Sequence, residues 1–148
     1  ALALAVMHEL IVHGWLDQDY IDRYTLGWDA LKARALQWTP ERAADVCGVP
    51  VEQIKQLARD WGTTQPAAIR LNYGMQRVRG GGNAVRAIAC LPALTGAWRH
   101  AGCGALLSTS GNFPVDGRAL ARPDLYPDAG RFPPRRVRRA GRGRCIGR

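Results

Sequence analysis

The residues of this sequence with the clearest chemical potential are three consecutive glycines, Gly80–Gly82, followed by Asn83. They separate a predicted strand from a predicted helix, and a backbone without side chains lets a ligand approach closely. The free N–H groups at the start of a helix attract anions, so the expected ligand is a phosphate or pyrophosphate. Neither the Rossmann spacing Gly-x-Gly-x-x-Gly nor a Gly-Lys-Ser/Thr phosphate loop occurs, so a flexible connector is the alternative.

Four arginines flank this glycine loop: Arg70, Arg77, Arg79 and Arg86. A guanidinium donates two parallel hydrogen bonds to phosphate oxygens and keeps its charge at any physiological pH. The alternative is that all four are ordinary solvated surface side chains. The residue types alone do not choose between the two interpretations.

The other reactive side chains form no catalytic set. His8 and His13 are five residues apart on a predicted helix, so they do not share a face. The serines at positions 108 and 110 lack the strand–turn–helix context and the base of a nucleophilic serine. The four cysteines, at positions 47, 90, 103 and 145, are too widely spaced for a zinc or redox pair. We therefore predict no catalytic residue and no metal ligand, and reduced, mostly buried thiols in a cytoplasmic protein.

The elements that must position the loop are mostly helices. Capping and periodicity predict helices over Ala1–His13, from Asp17 to about Tyr24, from Thr39 to Gly48, over Val51–Trp61 and over Ala84–Thr95. Short apolar runs predict strands at 66–73 and 105–107. A strand, a glycine loop and a helix in succession form the unit of an α/β protein.

The basic character of the chain belongs to its end. The formal charge is +9, but residues 131–148 contain eight arginines and no acidic residue, which leaves 13 basic and 12 acidic residues in positions 1–130. That body has a net charge of +1, unlike a nucleic-acid-binding domain. We expect the Arg/Pro/Gly-rich tail 129–148 to be disordered. Its composition resembles out-of-frame translation of GC-rich DNA, and a genuine basic arm for nucleic acid or anionic lipid is the alternative.

A resemblance to a known family lies in the middle of the chain. The segment Ala67–Arg77 is followed by Gly81-Gly82, by an apolar stretch ending in Leu94-Thr95-Gly96, and by Ala101–Ala105. In this order the segments resemble the molybdopterin-dependent oxidoreductases, the superfamily of dimethyl sulfoxide reductase and formate dehydrogenase. The upstream helices fit the same family, so the resemblance covers about residues 1–128. Because members are several times longer, it implies an internal fragment of a catalytic subunit.

The resemblance implies a cofactor, molybdopterin guanine dinucleotide with molybdenum or tungsten, and two-electron redox chemistry. It assigns six cofactor contacts: Gly74, Met75, Gln76, Arg77, Gly81 and Gly82. The first three would line the channel of the cofactor, and the last three would lie near its phosphates. The metal ligand, and the cysteines of the iron–sulfur cluster that such enzymes often carry, are expected outside this chain. In this class the chemistry is the cofactor's, and the protein positions and tunes it.

From both lines of reasoning we predict an α/β fold, helix-rich, with a short, incomplete parallel sheet as in the central domains of that family. Residues 1–128 would form the central-domain fragment, inactive alone and with apolar surface left exposed. Its partners would be the remainder of the catalytic subunit or electron-transfer subunits, without a transmembrane segment, and nucleic acid is not expected. The alternatives are a nucleic-acid-binding protein that depends on its basic tail and a non-catalytic interaction protein.

Overall fold

The computed structural model describes residues 1–107, in which a helical half precedes a strand–helix–strand unit. The helices are α1 (Leu2–Val12), α2 (Gln18–Tyr24), α3 (Trp28–Leu36), α4 (Pro40–Cys47), α5 (Val51–Thr63) and α6 (Gly81–Leu94). The strands are β1 (Ala68–Leu71) and β2 (Gly104–Leu107), and two 3₁₀ turns lie at Tyr73–Arg77 and Ala97–Arg99. The predicted tail 129–148 and the last part of the predicted 1–128 domain lie outside the described residues.

Helix α1 forms the centre of the core. Its Met7 and Leu10 side chains are completely buried, and it contacts α3, α4, α5 and α6. A helix that is apolar on every side is stable only when other elements surround it, and the apolar run of residues 1–12 predicted this burial. Its Glu9 carboxylate is also buried and lies 3.4 Å from Nε2 of His13.

The predicted helix boundaries are largely confirmed, because capping is local. The Asp17 carboxylate accepts a hydrogen bond from the Tyr20 amide at the start of α2, and the Thr39 hydroxyl accepts one from the Arg42 amide in α4. Two boundaries were wrong. Helix α5 continues through Gly62 to Thr63, and α6 begins at Gly81 rather than Ala84. Helix α3 was not predicted, and no side chain caps its start.

The two strands are parallel neighbours, paired from Ala68 with Gly104 to Leu71 with Leu107. The chain crosses from one strand to the other through α6, which contacts both. This confirms a helix-rich α/β fold with a short parallel sheet. In the described part of the chain the sheet has two strands and is not closed. Parallel sheets are normally larger and covered on both faces, so this sheet fits the expectation of an incomplete one.

Three cysteines lie in residues 1–107, and all three are free thiols. The expectation that most are buried is wrong, because Cys47 is exposed at the end of α4 and Cys90 and Cys103 are only partly buried. Four of the tryptophans, at positions 15, 28, 38 and 61, pack against the buried core. Within the same residues, no helix has the length and apolarity to cross a bilayer.

An ion cluster joins the start of α2 to the 3₁₀ turn before β2. Arg99 donates from Nε to the Asp17 carboxylate over 2.8 Å and from Nη2 to Asp19 over 2.6 Å. Its guanidinium also lies over the ring of Tyr20, with Cζ 5.2 Å from the centroid. The Asp17 amide donates to the Leu94 carbonyl at 2.8 Å. These contacts join residues as far as 82 positions apart and hold the end of α6 against the helical half.

We predict that acid weakens the fold through Asp17. The hydrogen bond from Arg99 lowers the pKa of Asp17 below 3.8, more than partial burial raises it. A carboxyl with a lowered folded-state pKa stabilises the fold above its unfolded pKa, and this stabilisation is lost as the pH falls through the folded value. The free energy of unfolding should therefore decrease between about pH 5 and pH 2.

The Asp17→Asn variant isolates this effect, because asparagine retains the helix cap but not the charge. Denaturant unfolding at several pH values should show a flatter slope for Asp17→Asn than for the unchanged chain. Asp45→Asn, at an exposed residue of α4 outside the described ion pairs, is the matched control and should leave the slope as it is. Equal slopes for Asp17→Asn and the unchanged chain would contradict the prediction.

Candidate functional site

The candidate site lies at the carboxyl edge of the parallel sheet. After β1 ends at Leu71, the chain enters the 3₁₀ turn Tyr73–Arg77 and then starts α6 at Gly81. The Asn72 side chain accepts a hydrogen bond from the Tyr73 amide at 3.1 Å, which fixes the start of the turn. In open parallel sheets, ligands bind outside the carboxyl ends of the strands, where helix N-termini also point. All six residues predicted to contact the cofactor lie in this turn and the first turn of α6.

Gly81 is the point where the turn and the helix touch. It is buried, and a Cβ added to it would lie 2.7 Å from Cα of Gln76 and closer still to the carbonyl oxygen of Met75. Its own amide donates to the Val78 carbonyl at 2.9 Å. The turn can therefore rest on the helix only because residue 81 has no side chain.

The other five predicted contacts face solvent. Gly74, Met75, Gln76, Arg77 and Gly82 are all exposed, and a Cβ at Gly74 or Gly82 would meet nothing within 4 Å. This open backbone allows a ligand to approach closely.

Among the described residues, the first turn of α6 has one amide without a backbone acceptor. The amides of Asn83 and Ala84 both donate to the Gly80 carbonyl, at 3.0 and 3.2 Å, and that of Gly81 is also paired. The Gly82 amide donates to no backbone carbonyl of the described residues. Of the amides from Gly81 to Ala84, only that of Gly82, an exposed residue, thus lacks a backbone acceptor among the described residues.

The charge around this edge is strongly positive. Residues 61–107 contain five arginines and no aspartate, glutamate or lysine. Arg99 is neutralised by Asp17 and Asp19. The other four, Arg70, Arg77, Arg79 and Arg86, are exposed and take part in none of the ion pairs of residues 1–107. These four arginines were identified from the sequence. The lack of aspartate and glutamate between residues 61 and 107 was missed, although it can be seen in the sequence.

This arrangement can bind an anion, but it contains no recognisable acid–base pair. Within residues 1–107, no group of three or more His, Cys, Asp or Glu side chains is placed to hold a metal ion. His13 stacks on Trp15, with ring centroids 4.6 Å apart. Cys103, whose thiol lies 3.7 Å from the Ala101 carbonyl, is in the connection before β2. The chemistry that the site supports is the binding of phosphate groups by one amide and several guanidinium groups.

Comparison with known proteins identifies relatives but no matching family model. The chain is 42% identical to a probable oxidoreductase of Bacillus subtilis, over 84% of this chain and 18% of that protein. It is 37% identical to a dimethyl sulfoxide reductase of Haemophilus influenzae, over 65% of this chain and 14% of that protein. It is 32% identical to the alpha subunit of an F420-dependent formate dehydrogenase of Methanocaldococcus jannaschii, again over 65% and 14%. The chain thus spans less than a fifth of the length of these relatives.

Proposed function

We propose that this chain is a segment of a molybdopterin-dependent oxidoreductase of the dimethyl sulfoxide reductase and formate dehydrogenase superfamily, and that it forms one wall of the cofactor channel in the catalytic subunit. The observation on which the proposal depends is the match to two named classes of reductase and dehydrogenase. The arginines without an ion pair among residues 1–107 and the amide of the exposed residue Gly82 support it, because the dinucleotide carries a diphosphate.

The role of each residue follows from its position. Gly81 holds the turn Tyr73–Arg77 against α6, so that the backbone of Gly74 to Gln76 presents an open surface to the pterin. In this proposal the Gly82 amide and the Arg77 guanidinium donate to phosphate oxygens, and the positive charge around them attracts the anion. The molybdenum or tungsten centre of the bound cofactor supplies the two-electron chemistry.

The complete enzyme is part of the same proposal. The metal ligand, and the cysteines of any iron–sulfur cluster, would come from other parts of the catalytic subunit, so this chain would be inactive alone. Its partners would be the rest of that subunit and electron-transfer subunits. The cytoplasmic location of this protein remains a prediction.

Pyrophosphate titration of the 148-residue chain by calorimetry tests the phosphate contacts. We expect Arg77→Gln to weaken binding by about tenfold, which corresponds to the loss of one charge-assisted hydrogen bond. The matched control is Arg34→Gln in α3, an exposed arginine outside the described ion pairs, which removes the same charge from the helical half. If Arg34→Gln weakens binding as much as Arg77→Gln, the affinity reflects overall charge and the proposed contact is wrong.

A further inference from the structure

An open apolar groove of about 620 Å³ lies between α5 and α6, with the beginning of α1 as its floor. Every residue that lines it is apolar except Asn83, and no charged side chain is among them. On the α5 side it is bordered by Leu57, which is 47% exposed, and by Trp61. On the α6 side it is bordered by Ala84, Ala87 and Ile88, and Met75 of the candidate site also lines it.

Packing within residues 1–107 leaves this groove incompletely covered. Leu57 and Ile88 pack against neither of the two buried hydrophobic clusters. Both side chains line the groove instead.

We propose that this groove is covered, in the full catalytic subunit, by an apolar segment of the polypeptide outside this chain. The inference rests on the proposed function, in which this chain is part of a larger subunit. The length of chain outside the structure supports this occupant, since the relatives extend over more than five times the matched segment. Large contiguous apolar patches are uncommon on the surface of complete soluble proteins.

The lining favours a polypeptide segment over a charged or strongly polar ligand. With no charged side chain in the groove, such a ligand would lose its hydration without gaining a partner. An apolar segment matches the apolar walls.

The test places one substitution in two contexts, the 148-residue chain and a chimera in which this chain replaces the matching segment of the Bacillus subtilis relative. In the chain alone, Leu57→Glu should shift the melting midpoint by less than about 2 °C and lower the fluorescence of an apolar-surface dye by about half. In the chimera, it should lower the midpoint by more than about 4 °C or abolish soluble expression, because the groove is then covered. Val46→Glu is the matched control, a 65% exposed apolar residue of α4 outside the groove, and should be tolerated in both contexts.

Several results would overturn the proposal. One is a chimera that tolerates Leu57→Glu as well as Val46→Glu. Another is a dimer of the chain alone that Leu57→Glu dissociates in sedimentation, which would make a second copy the occupant. A third is a small apolar molecule retained by the unchanged chain in native mass spectrometry and lost in the variant. If the chimera is insoluble, the chain is coexpressed with the Bacillus subtilis protein lacking the matched segment, and failure to form a complex also counts against the proposal. Pyrophosphate binding plays no part in these readouts, so their failure leaves the test of the phosphate contacts intact.

Discussion

Replacing Gly81 with alanine should lower the free energy of unfolding by about 1–3 kcal/mol, the usual range for forcing a methyl group into a packed site. The added Cβ would lie 2.7 Å from Cα of Gln76 and 2.9 Å from its carbonyl carbon. These are backbone atoms, so the turn Tyr73–Arg77 must move away from α6. Because this turn carries four of the predicted cofactor contacts, the same variant should also bind pyrophosphate more weakly.

The neighbouring glycine provides a matched control. An alanine at Gly82 meets nothing within 4 Å and lies in the same helical turn. It should raise the free energy of unfolding by about 0.5–1 kcal/mol, since alanine favours a helix more than glycine does. Denaturant unfolding should show a lower free energy of unfolding for Gly81→Ala and a higher one for Gly82→Ala. A stabilising effect of Gly81→Ala would mean that the turn does not rest on the helix.

The second large effect is expected at Gly104, the first residue of β2. Its φ of +100° is unfavourable for alanine, and an added Cβ would lie 2.6 Å from Cδ2 of Trp98 and closer to other ring atoms. The Trp98 ring would therefore have to move away from β2. We expect Gly104→Ala to lower the free energy of unfolding by about 2–4 kcal/mol, as backbone strain and overpacking add. The near-ultraviolet circular dichroism of tryptophan should change with it.

Two comparisons separate the strain from the collision. Gly102 also has a positive φ, of +78°, but a Cβ there meets no atom within 4 Å. Gly102→Ala should therefore cost only the strain, about 1–2 kcal/mol. In a Trp98→Ala background, Gly104→Ala should cost about as much as Gly102→Ala, because the ring is absent. An undiminished cost in that background would show that Trp98 is not the obstacle.

The amino-acid sequence determined the features that depend on neighbouring residues. The caps at Asp17 and Thr39, the apolar α1 and the strand–loop–helix order were all predicted, because side chains three or four positions apart meet on one helix. The order of segments from Ala67 to Ala105 also indicated the resemblance to reductases and formate dehydrogenases that the relatives show. The absence of acidic residues from 61 to 107 was equally available from the sequence, although only the position of the arginines made its meaning clear.

The tertiary structure alone decided which residues of the candidate site face solvent and which support the turn Tyr73–Arg77. Gly81 and Gly82 are adjacent and chemically identical, yet one lies beneath the turn and the other is open to solvent. The pairing of Arg99 with Asp17 crosses 82 positions, and the groove forms where α1, α5 and α6 meet. Such contacts depend on how distant elements pack in three dimensions, whereas capping and periodicity report only what a residue can do with its neighbours along the chain.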